Sequence, residues 1–407
     1  MTTMTKANPI SDRISNMKES ATIAMAQAAR DLASKGVNVI NLSVGEPDFD
    51  TPDYIKDAAK KALDDGFTGY SPVPGYPALK QAIVDKLKRD NNIEATPDQI
   101  VVSTGAKQSI ANIVLSLVNP GDEVIIIAPY WVSYNDIVDY AEGDVKIVSG
   151  SIDNGFKPTA AEIEAAITDK TKLIMFSSPS NPAGALFSQA ELSDFADVLE
   201  RNKHVFAMSD EIYEYINYVG GHTSLGSFTK VKDQVITING FAKGYAMTGW
   251  RMGYICAPAW LAKATQKIQG QVTSGANSFS QMACVTALED TENFKKSNKI
   301  MSEAFLRRRD LIISLLNEVP NVRTETPEGA FYVFPEVKAY FGKTAPDGTV
   351  ITGASELAIY LLNNANVSTV TGEAFGAPDN IRISYAASDE NIVEAIARIK
   401  DWLAKLA

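Results

Sequence analysis

The feature that most constrains this chain is an alternation. Five short runs rich in Val and Ile, at 101–103, 124–127, 173–176, 205–208 and 235–238, are bounded by turn residues. Helical patterns fill most of the gaps between them, at 106–118, 131–140, 160–166 and 188–201. Strands alternating with helices predict an α/β architecture around a mostly parallel sheet. Runs that are apolar along almost their whole length predict a sheet covered on both faces.

The two ends of the chain read differently. A helix at 17–34 and a strand-like stretch at 39–42 come first. A polar helix from about 293 through 305 and a helix at 391–406 come last, with 330–334 and 381–384 alternating like half-exposed strands. The 407 residues, 45% apolar, suffice for two domains. The expected division is a large domain over 46–292 and a small α+β domain built from 1–45 and 293–407.

Composition removes several functions. A net charge of −11 speaks against nucleic-acid binding, which needs a basic surface. No apolar run approaches the ~20 residues of a membrane span, and the N-terminus lacks a secretory pattern, so a cytoplasmic protein is expected. Two cysteines (Cys256, Cys284) and two histidines (His204, His222) supply neither a disulfide framework nor a histidine-rich zinc site; no metal is expected. Acid–base work falls to Lys, Tyr, Asp or Glu.

Ligands of open α/β sheets gather outside the carboxyl ends of the strands, so the residues just after each apolar run are informative. They are Gly105, Ala106 and Lys107 where a helix opens; Trp131; Asn181 in Ser178-Pro179-Ser180-Asn181-Pro182-Ala183-Gly184; Asp210 and Tyr213; and Lys243. A helix N-terminus offers free N–H groups to a phosphate. Trp131 can stack on a flat ring. A carboxylate ending a buried strand, such as Asp210, needs a cation close by. Lys243, in an apolar stretch, would have its pKa lowered and present the neutral amine that attacks a carbonyl. Singly, each has an ordinary structural reading: a glycine turn, core packing, a helix cap, a surface lysine. Together they match the needs of pyridoxal 5′-phosphate.

On these residues, and on Gly45-Glu46-Pro47-Asp48-Phe49-Asp50-Thr51-Pro52, the stretch 70–79 and the stretch 243–253, the sequence resembles the class I aminotransferases of pyridoxal-phosphate fold type I, most closely the bacterial aspartate aminotransferases. The resemblance runs from Ser20 to about Ile399. It implies that Lys243 carries the cofactor and then moves the substrate Cα proton, and that Asp210 keeps the ring nitrogen protonated. Asn181 and Tyr213 would bond the phenolate oxygen, and Trp131 would stack on the ring. Gly105, Ala106 and Arg251 would hold the phosphate, helped by Tyr70 from a second subunit of a homodimer. Arg382, assisted by Gly45, would clamp the substrate α-carboxylate.

Two departures stand out: Gly240 and Ala242 replace serines common in relatives, and Ala183 replaces a threonine. Lys107, with Thr22 and Lys18 nearby, matches positions that face the distal carboxylate in the aspartate branch. The implied reaction moves the amino group between L-aspartate and 2-oxoglutarate by a ping-pong route. An aromatic or prephenate aminotransferase, or a carbon–sulfur lyase, would share the same fold.

Overall fold

The computed structural model describes residues 9–17 and 19–407. Its strands in chain order are β1 (Ile40–Asn41), β2 (Ile100–Thr104), β3 (Glu123–Ala128), β4 (Asp144–Ser149), β5 (Thr171–Ser177) and β6 (Phe206–Asp210). They continue with β7 (Val235–Gly240), β8 (Met252–Cys256), β9 (Tyr332–Val333), β10 (Val367–Ser368), β11 (Val370–Thr371) and β12 (Ile381–Ser384). Seven of them form the central sheet in the order β2-β8-β7-β6-β5-β3-β4. All neighbours are parallel except β8, which runs antiparallel to both β2 and β7. The carboxyl ends of the parallel strands therefore share one rim with the start of β8.

Each central strand sends alternate residues to opposite layers, as a pleated strand must. Val124, Ile126, Leu173 and Met175 join one core with Ile110 and Val114 of the helix Ala106–Leu117. Ile125, Ile127, Ile174 and Phe176 join another with Leu192 and Phe195 of the helix Gln189–Arg201. At the β2–β8 edge, Ile100, Val102, Met252 and Tyr254 pack with Ile55, Leu79, Ile83 and Ala283 from three further helices. Burial on both faces explains why these strands read as continuous apolar runs.

Two strands of this sheet were not expected from the apolar runs. β4 is an edge strand, DVKIVS, with exposed and half-buried positions, and edges are kept polar. β8 is fully buried, but Gly253 interrupts its run of apolar side chains.

A second core gathers the chain ends. β9, β11 and β12 form an antiparallel sheet, and β1 pairs in parallel with β10. The helices Thr291–Leu316 and Asp389–Leu403 cover them through Phe305, Ile312, Ile392 and Ile396 against Phe331, Val333, Ile381 and Ile383. The 330–334 and 381–384 stretches are buried throughout rather than half-exposed. Phe334 turns the other way, onto Phe375 and Val370, so both faces are covered. The helix expected over 17–34 starts later, as Ala21–Ser34, and a separate short helix, Asp12–Asn16, precedes it; Lys18 lies outside the described residues.

Candidate active site

At the rim the strand ends enclose a cavity of about 460 Å³, the size of ordinary small-molecule sites. Eleven of the residues expected at a site line it: Gly45, Gly105, Ala106, Lys107, Trp131, Asn181, Asp210, Tyr213, Lys243, Arg251 and Arg382. Thr22 also lines it. Tyr70 does not; it is 96% exposed.

Asp210 ends β6 and is buried. Its carboxylate accepts from Tyr134 Oη at 2.8 Å and from the Ile212 N–H at 3.3 Å. Both donors are neutral. Burial pushes the carboxyl up to about 6 despite those bonds, with the neighbouring Glu211 adding to the rise and Lys243 opposing it. A buried carboxylate without a close cation suits a protonated ring nitrogen.

Lys243 follows β7 and points into the same cavity. Its ammonium donates to the Gly45 carbonyl and lies 5.7 Å from the centres of both the Tyr213 and Phe331 rings. Burial, then the positive charge of Arg382, lowers its pKa to about 8, with Arg251 acting in the same direction and Glu46 and Asp210 opposing. Near neutral pH this leaves the amine mostly protonated, with about a tenth of it neutral, far more than an ordinary lysine would show.

Arg382, in the middle of β12, is buried rather than a surface residue. Its Nη1 donates to Asn181 Oδ1 at 2.9 Å and its Nη2 to the Ser43 carbonyl at 2.6 Å, while Nε has no partner among the described residues. The guanidinium stands 4.6 Å from the Tyr332 ring centre and 5.0 Å from that of Phe375. No carboxylate balances it within these contacts, and burial lowers its pKa. An incoming carboxylate is the natural complement. Tyr213 lies alongside, its hydroxyl 2.8 Å from that of Tyr332.

Across the cavity the helix Ala106–Leu117 begins at Gly105. Its first-turn N–H groups lack intrahelical partners. Gly105 has φ of +80°, and a Cβ there would come within 2.6 Å of Arg251 Nη2, so glycine is what lets the arginine close on this helix end. Arg251 Nη1 donates to the Thr248 carbonyl at 2.8 Å. Lys107 sits 4.8 Å from the Trp131 ring centre, its pKa lowered by burial and then by Arg251. Free N–H groups and a guanidinium together suit a phosphate. Gly240 also has a steric reason: a Cβ would meet the Met252 carbonyl at 2.8 Å, so a serine there would press on β8.

Three further residues belong to this site. Tyr134 bonds Asp210, and its signal was its position three residues after Trp131 on a helical pattern. Tyr332 comes from β9, brought beside Arg382 by the β9–β12 pairing, which leaves no local trace in the sequence. Glu46 accepts a hydrogen bond from Thr248 at the cavity wall. The unbalanced Asp210, the lowered Lys243 and the anion-ready helix end with Arg251 fit pyridoxal phosphate by chemistry and by burial.

A family model described as aminotransferase class I and II matches residues 37–399. The chain belongs to this family. Its cofactor is pyridoxal phosphate, and it is a transaminase. The aspartate/prephenate aminotransferase of Cereibacter sphaeroides is 46% identical over 400 residues, 98% of this chain and 99% of that one. The aspartate aminotransferase structure from Rhizobium meliloti matches with a TM-score of 0.94 at 40% identity, covering 98% of this chain and all of that one. The Thermus thermophilus enzyme with maleate matches at 0.91 and 37%, covering 97% and 99%. This aminotransferase thus has the fold type I architecture of its structural neighbours. No helix among its described residues is long and apolar enough to cross a membrane.

Proposed function

We propose that this aminotransferase exchanges the amino group between L-aspartate and 2-oxoglutarate. The observation that carries the proposal is that Lys107 and Arg382 line one cavity with Lys243. Two cations suit a substrate with two carboxylates: Arg382 takes the α-carboxylate and Lys107 the distal one. The names of the relatives, and the dicarboxylate maleate in the Thermus enzyme, support this reading. Prephenate also carries two carboxylates, and it is the second substrate the same cations would admit.

Bound pyridoxal phosphate supplies a ring that withdraws electrons from the substrate Cα. The chain's residues do the rest. Asp210 holds a proton on the ring nitrogen. Asn181 and Tyr213 donate toward the phenolate oxygen, Trp131 covers one ring face, and Gly105, Ala106 and Arg251 hold the phosphate. Lys243 would be the residue that holds the cofactor and, once freed by substrate, its neutral amine would be placed to carry the proton that leaves the substrate Cα. Tyr70, exposed on its own chain, reaches the phosphate of a partner in a homodimer. Residues 46–292 act as the large domain and 1–45 with 293–407 as the small one, which closes to exclude water.

The test supplies L-aspartate alone. Close to one equivalent of oxaloacetate per site, followed by glutamate once 2-oxoglutarate is added, is the expected result. No oxaloacetate, with turnover of an aromatic amino acid instead, would reject the aspartate assignment. Pyruvate and ammonia released from a cysteine thioether would move the assignment to a carbon–sulfur lyase.

A further inference from the structure

Behind the end of β6 lies a buried group of charges that the reaction above does not use. Asp210 and Glu211 are adjacent, but their side chains diverge: Asp210 bonds Tyr134 at the cavity, while Glu211 turns into the protein. Glu211 Oε1 accepts from Ser209 Oγ at 2.9 Å and Ser224 Oγ at 2.7 Å. Its Oε2 accepts from His222 Nε2 at 3.0 Å, with Asn91 Nδ2 at 3.5 Å. Glu214 joins the same cluster. Its Oε1 accepts from Lys86 and from Asn239 Nδ2 at 2.8 Å, and its Oε2 accepts from Asn91 Nδ2 at 2.7 Å. The side chains of Glu211, Glu214 and Lys86 are 0%, 3% and 1% exposed, and that of His222 only 7%.

Two buried carboxylates require two positive charges, because an uncompensated one is costly to desolvate. Lys86 supplies one. His222, in contact with Glu211, is placed to supply the other. A divalent ion between Glu211, Glu214 and His222, whose ligand atoms lie within 4.8 Å of one another, would have to displace the Lys86 ammonium from Glu214. The ammonium already does that work.

We propose that His222 is a positioning residue for this aminotransferase: as an imidazolium paired with Glu211 it cancels the second buried negative charge behind Asp210, and so helps keep Asp210 ionised against the cofactor's ring nitrogen. The link is like-charge repulsion. An unbalanced Glu211 carboxylate one residue away opposes ionisation of Asp210, in the direction the structure shows. The groups facing His222 agree with the charge assignment. Burial by itself lowers the imidazole pKa, Glu211 raises it by charge and hydrogen bond, Glu214 adds to the rise, Lys86 opposes it, and the net direction is upward. Nδ1 of the ring has no hydrogen-bond partner among the described residues, so what the ring brings to the cluster is one hydrogen bond and its charge.

Resting as it does on Asp210 as the ring-nitrogen partner, the proposal is tested first without the cofactor. The chain has only two histidines, so imidazole proton resonances are simple to resolve, and H204Q assigns them. In the cofactor-free protein His222 is expected to titrate above the ordinary value of about 6.5, and E211Q to bring it down. A His222 that is neutral at pH 6 in the unmodified protein overturns the proposal without any variant having to fold.

The second readout is the pH midpoint of the bound cofactor's visible absorption. H222Q leaves Glu211 unbalanced and is expected to raise that midpoint by about half a pH unit. The E211Q/H222Q double variant removes both charges and is expected to return it toward the starting value. Equal midpoints in H222Q and the unmodified enzyme, or no return in the double variant, would refute the charge link. Failure of the protein to take up pyridoxal phosphate would instead count against the site assignment and leave the His222 titration standing.

Discussion

Arg382 Nη1 donates to Asn181 Oδ1 at 2.9 Å, and this bond joins β12 to the loop that follows β5. Two parts of the site far apart in sequence are thereby held in one geometry before any substrate arrives. The remaining N–H groups of the fork, with Nε unpartnered, are free to meet a carboxylate bidentately. Lysine cannot reproduce that fork. Arg382→Lys is expected to raise the KM for amino-acid substrates by about tenfold or more, with much of the cofactor binding retained. Steady-state kinetics alongside a cofactor titration check it; an unchanged KM would remove Arg382 from the carboxylate site.

Lys243 should reveal its lowered pKa chemically. In the cofactor-free protein its acylation by a small anhydride, followed by peptide mass spectrometry, should rise with a midpoint near the value of about 8 given by burial and Arg382. Arg382→Met removes the largest neighbouring charge and should move the midpoint upward. With the proposed role as proton carrier, Lys243→Ala should lower the rate by about 10⁴-fold. Near-normal turnover in that variant would refute the assignment.

Asp210 makes the cofactor-free protein sensitive to pH. Its folded-state value, about 6, lies above the ordinary 3.8. The folded state therefore binds more protons between roughly pH 4 and pH 6, and stability falls as pH rises through that window. The loss from this group is about 3 kcal/mol. Asp210→Asn should abolish it, making the variant relatively more stable at pH 8 than at pH 4. Tyr134→Phe removes a hydrogen bond to the ionised form and should extend the window upward by about one pH unit. Denaturant unfolding across pH measures both; a profile that Asp210→Asn leaves unaltered would exclude this source.

Lys107 is where the proposed dicarboxylic substrate is tested. Lys107→Ala should reduce kcat/KM for L-aspartate by about 100-fold, a loss of roughly 3 kcal/mol, consistent with one charge-assisted contact. An aromatic substrate without a distal carboxylate should lose far less. Equal losses for both would count against the dicarboxylic reading.

Tyr70 tests the second subunit. At 96% exposure its hydroxyl does nothing for its own chain's cavity. If it serves the partner's phosphate, Tyr70→Phe should weaken cofactor binding by about tenfold, one hydrogen bond to a charged group. Mixing the Tyr70→Phe and Lys243→Ala proteins should yield hybrid dimers in which each chain carries only one of the two lesions. Sedimentation that finds only monomers at working concentration would rule out a shared site.

By itself the sequence determined the sheet and the rim. Strands covered on both faces must be apolar along their whole length, so β2, β3, β5, β6 and β7 could be read from local composition, and the residues after those apolar runs, Gly105, Trp131, Asn181, Asp210 and Lys243, had to fall at one edge. It was silent where signals are non-local or masked. β4 is polar because it is an edge, and Gly253 interrupts the apolar run of β8. Only the tertiary structure decided that Arg382 is buried, that Tyr332 stands beside it, and that Glu211, Glu214, Lys86 and His222 share one charge balance. Those facts depend on strand pairing and desolvation between residues up to hundreds of positions apart, and no local pattern encodes the dielectric a side chain will meet once the chain has closed around it.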